Sequence, residues 1–335
     1  MEMRKLIILG APLAMMTPTT GLAGWSCGID DSLLPAVHAL DVVEGNLNVF
    51  VGPVRREEDG SRAAHLVVHS NNGDWAWQSE TTLPANTHPV AAEPCMNPPA
   101  DEKWLQTNKQ RLDQNPAFEQ ETKVCADGPG KRWGGISFYG GEGSWGVGGI
   151  VEHNEKSGAT RYYRPSALAG YSTSHLAFYG DRPWIGTASY GECGPGIGIG
   201  VLSGEFANDQ LYAGWAMESC GFIVSDMLVH DSSLWIATEM GLSKVSKSGD
   251  RYKPFRWTNF IPTGDDESPM REVTCDELYT ELFRSTDLAS AQPNDSGHPY
   301  GVLWDRITKL RPSFAWQYVR RLNGLEPPPE GEKAK

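Results

Sequence analysis

The sequence predicts an all-β fold: a β-propeller of about five blades, within a range of four to seven, carrying a disulfide-pinned insertion and C-terminal helices. Three observations predict it. A phrase recurs along the chain: LWIATEMGLSKVSKSGD from Leu234, PWIGTASYGECGPGIGIGVLSGE from Pro183, SWGVGGIVEHNEKSG from Ser144, and a worn copy, LNVFVGPVRREEDG, from Leu47. Its spacing is that of a blade. Trp184 lies 51 residues before Trp235 and 39 after Trp145, and the 95 residues between Phe50 and Trp145 hold about two more units. Repeats of ~40–50 residues, each about four strands long, bury their faces only by stacking around an axis. The composition agrees, with 37 Gly, 23 Pro and 12 Trp among 335 residues and only 21% charged side chains, which suits short strands and tight turns.

Residues 1–23 carry the pattern of a secretory signal. Arg4 and Lys5 form a basic start, Leu6 to Met16 an apolar run too short to span a bilayer, and Gly21-Leu22-Ala23 a small-residue cleavage site. Cleavage there leaves no membrane span and places the protein in the periplasm or outside the cell. Residues 24–262 form the propeller, interrupted at about 84–130 by a Pro-, Asn- and charge-rich insertion whose middle, Asp101 to Leu112, suits a short helix. Residues 263–325 lose the repeat and gain helical spacing. Val273, Leu278, Leu282 and Phe283 mark one stretch, and Val302, Leu303, Ile307, Leu310, Phe314, Val319 and Leu322 a second, with Pro312 as a kink. This segment is expected to pack on the propeller. The tail 326–335, PPEGEKAK and its flanks, has the composition of a disordered end.

All six cysteines follow the signal, an even number in an oxidising compartment. The expected pairs are Cys95 with Cys125, Cys193 with Cys220, and Cys27 with Cys275. None has C-x-x-C spacing, which argues against redox-catalytic and zinc-ribbon roles. The charge is −13, and removal of Glu2, Arg4 and Lys5 with the signal leaves −14. Such acidity disfavours nucleic acid and anionic lipid as partners.

Each Trp strand follows an apolar strand and a polar turn: GGISFYGGEGSW, STSHLAFYGDRPW and IVSDMLVHDSSLW. LWIATEMGLSKV and PWIGT resemble the two-component-regulator propeller repeat, whose usual form is an aliphatic or aromatic residue, Trp, Ile, Gly, Thr, two variable residues, Gly, Leu and an aromatic. The resemblance covers residues 134–257 well and 40–80 loosely. It implies propeller architecture, with the Trp residues as wedges between blades. In sensor kinases such repeats form a periplasmic sensing region. Some antibiotic-inactivating lyases are similar propellers, but no position here matches their catalytic His and Glu.

Propellers take ligands at the axial channel, near the innermost strands. Counting nine residues back from each Trp places Ile136, His175 and Asp226 on those strands. His175 and Asp226 are therefore candidate acid–base groups or ligands for a divalent metal, and the competing role is that each satisfies a backbone group or a neighbouring blade. Glu192 is a third candidate, in the glycine-rich insertion Tyr190 to Val201, which lacks the Lys and following helix of a phosphate loop. Arg161-Tyr162-Tyr163-Arg164 suits an outer strand with solvated arginines. No nucleophile elbow, H-E-x-x-H or EF-hand pattern occurs. Two functions fit: an exported module in the cell envelope that binds a small molecule or docks an envelope protein, or a propeller enzyme, a lyase or hydrolase, with its site at the channel mouth.

Overall fold

The computed structural model describes residues 36–278, apart from short stretches of which 85–93, 115–119 and 139–147 are the longest. Four antiparallel sheets of four or five strands make up this region, each built by consecutive chain. Blade 1 holds β1 Val37–Val43, β2 Asn46–Arg56, β3 Arg62–His69 and β4 Trp75–Thr82. Blade 2 holds β5 Gln120–Gly128, β6 Lys131–Phe138, β7 Gly149–His153 and β8 Thr160–Tyr163. Blade 3 holds β9 Ser172–Tyr179, β10 Arg182–Gly191, β11 Gly194–Ile197, β12 Val201–Ala207 and β13 Gln210–Ala216. Blade 4 holds β14 Val224–His230, β15 Ser233–Thr238, β16 Gly241–Lys247, β17 Phe255–Pro262 and β18 Met270–Val273. The first strands pack side by side in the order β5, β9, β14, β1, so the last blade closes onto the first.

Two-residue turns set the register of every blade. Glu44-Gly45, Gly180-Asp181 and Asp231-Ser232 all take positive φ, as a tight hairpin turn with right-handed strand twist requires, and Pro129-Gly130 serves blade 2. Two residues into each second strand stands the wedge position. It is Trp133, Trp184 and Trp235 in blades 2 to 4, each no more than 2% exposed. Each Trp packs into a core shared with the next blade. Trp133 meets Leu176, Leu202 and Leu211, Trp184 meets Val224, Met227 and Leu234, and Trp235 meets Val37, Leu40 and Val49. Burying ~200 Å² of indole at each seam stabilises it by roughly 5 kcal/mol. Aromatic rings cover two of them: Phe255 and Trp257 of blade 4 lie over Trp184, and Trp75 of blade 1 and Phe260 of blade 4 itself lie around Trp235.

This register corrects the sequence reading of blade 2. The wedge is Trp133, preceded by the strand and turn ending CADGPGKRW, whereas Trp145 lies outside the described residues. In blade 1 the wedge position is Asn48, not Phe50. Trp133 was missed because Trp-Gly-Gly-Ile carries less of the repeated phrase than the later Trp-Gly-Val-Gly.

The interruption is also shorter than expected. Its last part, Gln120–Gly128, is β5, and the helix expected over 101–112 is α1, Glu102–Gln114. Asp101 caps it, its Oδ1 accepting the Trp104 N–H at 3.2 Å. The Cys95–Cys125 disulfide ties this segment to β5. Arg164, expected in solvent, instead holds α1 to the outer strand of blade 2. Its Nε donates to Asp101 at 3.2 Å and its guanidinium lies 4.3 Å above the Trp104 ring.

At the other end, Met270–Val273 is the fifth strand of blade 4 and not part of a helix, so the propeller sheet runs past 262. A helix starts directly after it, at 275–278, behind a reciprocal cap in which Glu277 Oε2 accepts the Thr274 N–H and Thr274 Oγ1 accepts the Glu277 N–H. Cys275 pairs with Cys220. That bond overturns both the Cys193–Cys220 and the Cys27–Cys275 expectations, because β18 brings Cys275 beside the turn that leads into β14. Cys27, Cys193, the signal segment and the tail lie outside the described residues.

Candidate functional site

A propeller sheet pairs its innermost strand on one side only, so that strand presents unpaired backbone groups towards its neighbours and the axis. In all four blades the innermost strand also carries a bulge at one register. The ladder skips His38, Lys123, Ser174 and Ser225, and resumes with the pairs Ala39–Phe50, Val124–Gly135, His175–Gly186 and Asp226–Ala237. Bulges bend a strand and re-aim the side chains beside them. The residues after the bulge are thus four equivalent register positions on the innermost strands. His175 and Asp226 are two of them. Ile136 is not, because it sits on the second strand, β6, and its place is taken by Val124.

Asp226 and His175 each reach towards the next blade. Both Asp226 oxygens accept main-chain N–H groups, Oδ2 from Leu40 of blade 1 and Oδ1 from Met227, each at 2.8 Å. The Leu40 N–H points away from the blade 1 ladder, and the carboxylate is what satisfies it. His175 lies between Ser174, whose Oγ is 3.1 Å from Nδ1, and the start of β14 in blade 4. Burial pushes the His175 pKa below its ordinary 6.5, and the Asp226 charge and the Ser225 and Val224 backbone acceptors oppose the shift only in part. Between blades 2 and 3 the same service is done by hydroxyls. Ser137 donates to the Thr173 carbonyl and Thr173 to the Gly149 carbonyl, both at 2.8 Å. His38, in the blade 1 bulge, turns back onto the Gly52 carbonyl at 2.5 Å, and burial lowers its pKa as well.

The structure therefore brings His175 and Asp226 into one neighbourhood and uses both as ties between blades. Chemically the pair offers a neutral imidazole beside a carboxylate already carrying two N–H donors. It could supply two metal ligands, and among the described residues no cluster of three or more His, Cys, Asp or Glu side chains forms. Glu192 lies outside the described residues. The sequence reading missed the bulge residues His38, Lys123, Ser174 and Ser225. The turns hold the signal that would have found them, since counting back from each two-residue turn gives the register that counting from Trp145 loses.

The insertion in blade 3 lengthens one turn at this level. Thr187 Oγ1 donates to the Gly200 carbonyl at 2.9 Å, as Thr238 Oγ1 donates to the Gly241 carbonyl at 3.1 Å in blade 4. Where blade 4 closes this turn with Glu239-Met240, blade 3 extends β10 and pairs it with β11. Glu239 is buried at 3% exposure and accepts the Ile223 N–H at 2.8 Å, which fixes the lead into β14.

Two disulfides in the described region fit an oxidising compartment. Among the described residues no helix is long and apolar enough to cross a membrane. No family model matches the chain, and no curated protein matches it. Solved structures give distant likenesses. The extracellular domain of the hybrid two component system BT4673 from B. thetaiotaomicron is 12% identical over 69% of this chain, with a TM-score of 0.27. The chain spans 30% of that ectodomain's length. The structure of YjhT is 11% identical over 66% of this chain and 83% of its own, with a TM-score of 0.30. A GH74 xyloglucanase from Xanthomonas campestris is 9% identical over 72% of this chain and 43% of its own, with a TM-score of 0.29.

Proposed function

We propose that this chain is an exported propeller that binds a small molecule at the mouth of its axis, and that His175 and Asp226 are scaffold and not catalysts. One observation carries the reading: the Asp226 carboxylate spends both oxygens on backbone N–H groups, one of them in the neighbouring blade. Each oxygen keeps a second lone pair, but the two N–H bonds fix the carboxylate between blades 4 and 1, which is the work of a structural tie. The bulge ring leaves backbone groups and polar side chains near the axis, which is the kind of rim that orients a small polar ligand.

The test uses mature, oxidised protein. Thermal shifts are measured against a panel of sugars, amino acids and short peptides, alongside elemental analysis for metal. The expected result is a saturable shift with one class of small solute, no stoichiometric metal, and a His175→Ala variant that melts lower yet keeps its ligand response. Stoichiometric metal lost in His175→Ala, or turnover of a panel compound abolished by that variant, would establish the enzyme instead. A response only to a purified envelope protein would move the reading to a docking module.

A further inference from the structure

Among the described residues the four blades form an open row and not a closed ring. The inner strands β5, β9, β14 and β1 pack in that order, but β1 and β5 share no such seam. The cores say the same. Among the described residues three clusters each join two blades: 2 with 3, 3 with 4, and 4 with 1. A further one joins none. Ala39, Phe50, Ala64, Leu66 and Leu83, with Val68 against them, all belong to blade 1 and the residue that follows it. Phe50 and Leu66 are nevertheless only 5% and 9% exposed. Blade 1 is also the one with Asn48 at the wedge position, so it lacks the Trp with which each other blade fills the seam to its successor.

We propose that residues 300–322 of this same chain dock on that face of blade 1 and fill the arc between blades 1 and 2. This stretch repeats apolar side chains at helical spacing, with Leu303, Ile307 and Leu310 on a single stripe before Pro312 and Phe314 beyond it. The stretch is also basic in an acidic chain. It carries Arg306, Lys309, Arg311, Arg320 and Arg321 against one acid, Asp305, in a chain of net charge −13. The reach suffices too. The tail starts from an anchored point, the helix at 275–278 held by Cys220–Cys275. The 21 residues from 279 to 299 extend up to ~70 Å, several times the ~10 Å that separates packed sheets.

Hydrogen exchange tests this on the mature full chain and on a chain ending at residue 299. Truncation is expected to speed amide exchange in β2 and β3 by tenfold or more and to raise hydrophobic-dye fluorescence several-fold. Exchange in β9 and β15 should stay as it was. Adding a synthetic peptide of residues 300–322 should restore protection in β2 and β3. Unchanged protection there in the truncated chain would overturn the proposal, as would a truncated dimer whose blade 1 stays protected without peptide. If the truncated chain fails to fold, the full-length double variant Leu310→Glu/Phe314→Glu decides. Faster exchange confined to blade 1 supports docking, and equal loss across all four blades overturns it.

Discussion

Replacing Asp226 by alanine should destabilise the protein by about 2–4 kcal/mol, because it orphans a backbone group at the seam where the last blade meets the first. Two N–H donors lose their acceptor: Met227, one residue along, and Leu40, 186 residues away in sequence. Hydrogen bonds to a charged acceptor contribute about 1.5–3 kcal/mol, and a buried N–H left unpaired costs about 1–3 kcal/mol. Both residues are buried, Leu40 at 7% and Met227 at 9% exposure, and only the Leu40 bond ties two blades. Asp226→Asn keeps one carbonyl oxygen and should lose only about 1 kcal/mol. Urea unfolding of oxidised protein at neutral pH measures both, with the slope expected to stay constant and the midpoint to move. Exchange at the Leu40 amide should accelerate in the alanine variant and much less in the asparagine variant. An Asp226→Ala protein within ~0.5 kcal/mol of the parent, having lost a ligand or an activity, would refute the reasoning, since surface substitutions away from such ties cost about that little.

Three further outcomes follow from the same geometry. The depressed pKa of His175 means that the unfolded chain binds more protons below the ordinary 6.5, so this contribution to stability is full above 6.5 and lost as pH falls through the folded value. His38 acts in the same direction; the urea midpoint should fall between pH 7.5 and 5.5, and fall less in His175→Gln, whereas equal falls would remove His175 from the account. Gly241→Ala should cost at least ~2 kcal/mol, because φ is +117° and the added methyl would stand 2.4 Å from the Phe260 carbonyl, while Gly249→Ala, strained in φ alone, should cost about 1 kcal/mol in the same melts. Removing the Cys220–Cys275 bond, which spans 55 residues, should cost about 4 kcal/mol by the chain-entropy relation, and a non-reducing peptide map should find Cys27 joined to Cys193, the two cysteines left once the observed pairs are assigned.

The later blades were legible because their local signals agree. In blades 3 and 4 an apolar strand, a positive-φ turn and a Trp-Ile strand occur in tandem, and the structure places all three as the sequence implies. Blade 2 misled because its turn, Pro129-Gly130, lies beside a Trp without the flanking phrase, while the phrase itself stands at Trp145, outside the described residues. Register in a sheet is set by the turn, which fixes which residues face each other, and the phrase only reports which side chains fill the seam. The Cys220–Cys275 pairing was illegible for another reason. It depends on a fifth strand, Met270–Val273, whose four residues are too few to show a period before a capped helix begins.

The same physics explains why His175 and Asp226 could be located from sequence while their role could not. A polar residue near a propeller axis is expected on either reading, since the innermost strand leaves donors that no ladder satisfies and a ligand would need donors and acceptors in the same place. What separates the readings is where the lone pairs go. Asp226 meets a backbone N–H in each of two blades, and the equivalent positions Val124 and Ala39 have no polar group to offer. The polar ties therefore run through the seams of blades 2, 3, 4 and 1 and stop at blade 1. That is the same point at which the Trp wedge gives way to Asn48 and the shared apolar cores end. Three independent features, a missing wedge, a missing tie and a core with no partner blade, break off at one seam. That coincidence among the described residues is what the proposed docking of residues 300–322 accounts for.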